Sequence, residues 1–111
     1  MKTCELERAA LDWAVAKCEG LITGDALDVG FVLEGSYTPS SFWSQGGPII
    51  EREHINLTAP GLMGGAWVAE LSTEPDFGAK YFSGPTPLIA AMRCFVASKL
   101  GDEVDVPEEL T

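Results

Sequence analysis

The sequence predicts an α+β fold: a small, mostly antiparallel sheet packed by N-terminal and C-terminal amphipathic helices, in two layers and one domain. Three observations lead there. Segments with helical apolar spacing, "CELERAALDWAVAKCEG" and "TPLIAAMRCFVASKLG", stand near the two ends of the chain. Short runs rich in β-formers, "ALDVGFVLEG" and "AWVAEL", lie between them. A length of 111 residues supports a single hydrophobic core without disulfide staples.

Taken in order, Leu11, Val15 and Cys18 recur at i, i+4 and i+7 beside Ala10 and Ala14, and Gly20 follows as a stop, predicting a helix over about 5–18. Thr3 is its candidate N-cap, and Glu5 and Glu7 suit the positive end of its dipole. A strand is expected over about 27–33, closing at Gly35. The Ser-, Gly- and Pro-rich "SYTPSSFWSQGGP" reads as the longest loop, where function tends to reside. Pro48 fits the first position of a short helix over 48–53, followed by a strand over 54–58. "APGLMGG" turns the chain into a strand over 66–71 that pairs antiparallel with its predecessor. "EPDFGAKYFSG" is a loop with a brief strand near 79–82. Thr86 as N-cap and Pro87 at the first position open a helix over 87–100, with Leu88, Ile89, Met92, Phe95, Val96 and Leu100 as its buried stripe and Gly101 as its end. Residues 102–111 form an acidic tail, extended along the surface or frayed.

Seven Lys and Arg against 17 Asp and Glu give a formal charge of −10, which repels the phosphate backbone and disfavours a direct DNA or RNA reader. The same surplus suits simple solubility, a basic protein partner, or imitation of nucleic acid. Cys4, Cys18 and Cys94 show neither CxxC spacing nor a neighbouring His that would suggest zinc, and they read as reduced core thiols. No secretory leader and no apolar run near 18 residues is found, so the chain is expected in the cytoplasm, where the Asn56-Leu57-Thr58 sequon is idle.

Read together, "AALDWAVAKCEG", "YTPSSFWSQGGPIIERE", "AWVAEL" and "GPTPLIAAMRCFVASKLGDEV" resemble the NinX family of small proteins of lambdoid and other tailed phages, in order and over nearly the whole chain. Phe42 stands where that resemblance implies a polar or acidic residue before Trp43. The resemblance implies a phage accessory protein at work in the host bacterial cytoplasm, and it carries no activity onto particular residues.

Several residues are candidates for a ligand site, each beside a structural alternative. Gly46 and Gly47 permit close backbone approach, and a helix starting at Pro48 would offer free N–H groups to an anion; the alternative is a plain turn. Trp43 and Tyr37 present flat faces for stacking and Gln45 both a donor and an acceptor, while Trp43 as a lid on the core is the competing view. Arg52, between Glu51 and Glu53, is a ligand contact or a surface ion pair. Arg93 borders the buried stripe and needs either an internal carboxylate or a ligand anion. Trp67 lies under a helix or serves as a second stacking face.

His54 is the only histidine and lies outside any metal-binding spacing; Asp12 reads as the polar side of its helix, and Ser40, Ser41 and Ser44 as turn caps. With no catalytic set and no cofactor motif, the expected function is non-enzymatic: sequestration of a small, nucleotide-derived molecule, as an inhibitor of host nucleotide-signalled defence would do. A chain this small is expected to wall off such a site as a homo-oligomer. The alternative is an acidic module that binds a host protein or mimics nucleic acid.

Overall fold

The structure, a computed structural model, describes residues 1–22, 35, 37–61, 65–71 and 80–110. Helix α1 spans Arg8–Cys18, α2 Trp43–Glu53 and α3 Pro87–Leu100. Strands β1 (Asn56–Thr58), β2 (Trp67–Leu71) and β3 (Lys80–Gly84) form an antiparallel sheet in the order β1-β2-β3. The α+β class and the antiparallel pairing are therefore as the sequence predicts. The strand expected over 27–33 lies outside the described residues.

Register follows from alternation. Leu57, Ala69 and Phe82 are paired across the three strands and all join the core, whereas Tyr81 next to Phe82 is 64% exposed. Helix α3 covers the inner face, packing on β2 and β3. Gly84 is required there: a side chain on it would stand 2.7 Å from the Ala90 amide nitrogen, so only glycine lets β3 end against the first turns of α3.

Helix α3 is more central than its apolar stripe suggests. Every residue from Ala90 to Ala97 is buried, because the sheet takes one side while α1 and α2 pack on others. The expectation that each helix lays one face on the sheet holds for α3; α1 makes its main contact with α3 instead. The small side chains Ala90, Ala91, Cys94 and Ala97, neutral in a periodicity argument, are what permit neighbours all round.

The N-terminal end differs from expectation, while the C-terminal tail takes the extended form, one of the two expected. Residues Thr3–Glu5 form a 3₁₀ turn, so α1 begins at Arg8 and not near residue 5, and Thr3 is not its cap. The Thr3 hydroxyl donates to the Gly101 carbonyl at 2.6 Å and its amide to the Asp102 carbonyl at 2.8 Å. The acidic tail thus runs extended along the N-terminal segment, with an antiparallel backbone β-bridge between Lys2 and Glu103 and Val104 only 4% exposed.

Helix α2 corrects the sequence reading most. Trp43, not Pro48, is its first residue, and Pro48 lies inside it. A proline there removes one hydrogen bond and normally clashes with the Cβ of the residue before it, but that residue is Gly47, which has none. Burial of Gly46 and Ile49 on one face supplies the rest of the driving force. The helix ends at His54, which is exposed and in the left-handed conformation (φ 57°).

Candidate functional site

The corner before α2 is fastened at several points. Ser41 and Phe42 donate their amides to the Thr38 carbonyl, each at 3.0 Å, and the Thr38 amide donates to Gln45 Oε1 at 2.6 Å. From α1, Asp12 Oδ1 accepts the Ser40 amide at 2.9 Å. Asp12 is 3% exposed and so is not on the polar side of its helix; burial pushes its carboxyl above the ordinary range, against the lowering effect of its bonds to Ser40. Gly46 lets α2 pass under this corner: a Cβ there would collide with the Pro39 carbonyl oxygen and stand 2.6 Å from Leu88 Cδ2.

That close approach sets the start of α2 beside the start of α3 and leaves a groove of about 470 Å³ between them. Ser40, Ser41 and Trp43 form one wall and residues 86–89 the other. Trp43 is 54% exposed, with Gly47 one turn on offering no side chain; a Cβ on Gly47 would meet the indole only at 3.8 Å. The Thr86 hydroxyl accepts the Ile89 amide at 3.1 Å as the α3 cap, so its proton remains for another acceptor. No charged side chain lines the groove.

The other candidates lie elsewhere. Gln45 uses its carbonyl oxygen on Thr38, and Gly46 is occupied by packing, not by a turn. Tyr37 is half-buried against the core; burial, then the charges of Glu19 and Asp12, push its hydroxyl up to about 12. Arg52 holds both carboxylate oxygens of Glu19 and donates from Nε to Glu53 at 2.9 Å, with Phe95 beneath it at 5.7 Å. These bonds keep the guanidinium firmly charged and hold the Glu53 carboxyl below its usual range. Arg52 therefore ties α1 to α2 at their C-terminal ends.

Arg93 has neither of the expected partners. Its Nε donates to the Leu6 carbonyl at 2.7 Å and Nη1 to the Ser83 carbonyl at 2.8 Å, joining the N-terminal segment, β3 and α3 through backbone acceptors. Trp67 is half-buried, packs against the core and does not line the groove. Of the three expected core thiols, Cys4 is exposed on the turn Thr3–Glu5, whereas burial raises the Cys18 and Cys94 thiols to about 11, which keeps them protonated and poorly nucleophilic. Among the described residues, no group of three or more His, Cys, Asp and Glu is placed to hold a metal ion, and no helix is long and apolar enough to cross a membrane.

Sequence reasoning missed the second wall, although the Thr86-Pro87 signal that starts α3 was legible. What puts it opposite Trp43 is the Gly46–Leu88 contact, which joins positions 42 residues apart and leaves no local trace.

Fold and groove together define a small α+β protein whose candidate site is an uncharged surface groove with one aromatic wall, between the first turns of two helices. Residues 2–99 match the family described as Bacteriophage P22, NinX, and the chain belongs to that family. Among curated proteins, no sequence matches it.

Proposed function

We propose that this phage protein is a non-enzymatic binder that sequesters a small, nucleotide-derived molecule in the host bacterial cytoplasm, acting against host signalling that uses such molecules. The observation that carries the reading is Trp43, half-exposed on the first turn of α2 as one wall of a groove of about 470 Å³. That volume falls within the range of small-molecule sites. An indole face stacks any nucleobase, at roughly 1 to 3 kcal/mol per base. The Ser41 and Thr86 hydroxyls, with no carboxylate in the lining, suit an acceptor-rich ligand in a chain of formal charge −10.

Titration calorimetry against cyclic and linear nucleotides, with tryptophan emission followed in parallel, tests the proposal. Micromolar heats accompanied by quenching of the exposed indole are expected; silence across the panel up to millimolar concentrations overturns it. The high negative charge favours a second reading, an acidic module that docks a basic host protein or imitates nucleic acid. A purified basic host protein that binds tightly at low salt and is released at high salt, with no nucleotide heat, would put that reading in its place.

A further inference from the structure

We propose that two copies of this chain associate through the rim of the groove, so that Phe42 of the partner subunit supplies the wall each groove lacks. The inference takes the groove as the ligand site proposed above, although the association it describes needs no ligand.

Charge distribution comes first. Each chain carries a formal charge of −10, so two copies repel one another wherever carboxylates face carboxylates. The groove and its rim are built from two segments without a single charged residue, 37–50 and 81–92, which the fold brings side by side. At that rim a second copy can approach without setting like charges together.

The rim also has the composition of a contact. Phe42 and Trp43 are consecutive aromatics, 57% and 54% exposed, on a corner already fastened by Asp12, Thr38 and Gln45. Little ordering entropy is left for binding to remove from that corner. Aromatic side chains with few charges around them characterise the buried centre of protein interfaces, and tryptophan is among the residues that dominate binding energy there.

The open groove gives a second copy something to cover, and Phe42 stands between two of its lining residues, Ser41 and Trp43. Ligand sites bury most of their ligand, whereas this groove has walls on two sides and its Trp43 is more than half exposed. In a two-fold contact the same patch lies on both partners. Phe42 of the partner subunit then lies over the open side of one groove while this chain's Phe42 covers the other. The result is a pair of enclosed sites.

Light scattering and sedimentation on the purified chain, without ligand, read the mass directly. The wild type is expected at twice the chain mass, with tighter association as salt rises and screens the net charge. Phe42→Glu should return the mass of one chain and still unfold cooperatively, since Phe42 is more than half exposed in the single chain, with a melt that no longer rises with protein concentration as the wild type's does. Tyr81→Glu, which charges an exposed aromatic on the outer sheet face, should keep the doubled mass. A wild type at single-chain mass at high concentration overturns the proposal, as does a Phe42→Glu protein that remains dimeric or a Tyr81→Glu protein that dissociates. Calorimetry keeps the two proposals apart: a dimer that binds no nucleotide removes the ligand reading alone, and a monomer that binds one removes the association alone.

Discussion

Replacing Trp43 by Ala separates a groove wall from a core lid. A fully buried tryptophan costs roughly 3 to 5 kcal/mol on truncation to alanine. Trp43 is 54% exposed, so somewhat under half of its surface is covered. Taking a tryptophan surface of about 250 Å², truncation uncovers on the order of 100 Å², and at about 25 cal/mol per Å² the loss is at most ~2.5 kcal/mol. The unfolded chain also shields part of that surface, and alanine is the better helix former, which brings the expected loss to about 1 to 2 kcal/mol.

Urea unfolding followed by circular dichroism measures it, since the fluorescent reporter is itself changed. Emission provides an independent reading: with Trp43 gone, the remaining indoles are Trp13, 1% exposed, and half-buried Trp67, so the spectrum should shift to shorter wavelength and resist acrylamide quenching. In parallel, nucleotide affinity should fall by roughly 1 to 3 kcal/mol. A stability loss above about 3 kcal/mol would show that Trp43 is core after all. Unchanged affinity for a nucleotide that the wild type binds would remove it from the site.

The two adjacent glycines should each resist a side chain, for different reasons. Gly46→Ala drives a methyl into the Pro39 carbonyl and Leu88 and should cost about 1 to 3 kcal/mol in the same urea assay whether or not Pro48 is present, whereas Gly47→Ala, open toward the indole at 3.8 Å, sets its Cβ against Pro48 inside the helix and should cost about 1 kcal/mol or more, a loss that Pro48→Ala in the same chain should relieve; a Gly46→Ala loss that Pro48→Ala also relieves would contradict the packing described for Gly46. Arg93→Met leaves the Leu6 and Ser83 carbonyls without their donor and should lower stability by about 2 to 4 kcal/mol, a loss that a thermal melt would resolve and that a near-neutral result would refute. Because burial raises the Asp12 carboxyl, the folded chain keeps a proton that the unfolded chain has released, and this group's contribution falls as pH rises from about 4 through the raised value. Asp12→Asn retains an acceptor for the Ser40 amide and does not titrate, so stability against pH should be flatter over that interval than in wild type. Glu53, held low by Arg52, acts in the opposite sense, its share being lost as pH falls, and is common to both proteins.

How far the sequence can be read depends on how local each determinant is. The start of α3 was legible because Thr86 and Pro87 act within one turn, and the antiparallel pairing of β1 with β2 because both strands flank a Gly- and Pro-rich turn. The start of α2 was not. Pro48 reads as a beginning in every local rule, and only the missing Cβ of Gly47 and the burial of Gly46 and Ile49 carry the helix through it. Side-chain periodicity is also blind to backbone acceptors, and so the partners of Arg93 escaped it. Asp12 looked like helix surface because its partner, the Ser40 amide, lies 28 residues away. Of the proposed ligand residues, Trp43 lines the groove; Arg52, Arg93 and Gln45 had the right chemistry for a ligand, and the fold engages it internally.

The central place of α3 has a consequence for the order in which the molecule is made. The sheet, α1 and α2 all pack on residues 87–100, and the N-terminal segment pairs with residues 101–104, so the burial of α1 and α2 closes long loops even though β3 is the chain neighbour of α3. A ribosome delivering this chain has exposed Leu11, Val15, Ile49 and Leu71 well before it supplies the helix that buries them. Collapse into the native arrangement is therefore a late event in synthesis. For most of its synthesis the nascent chain presents apolar faces with no native partner, and during that interval trigger-type chaperones or aggregation would find it.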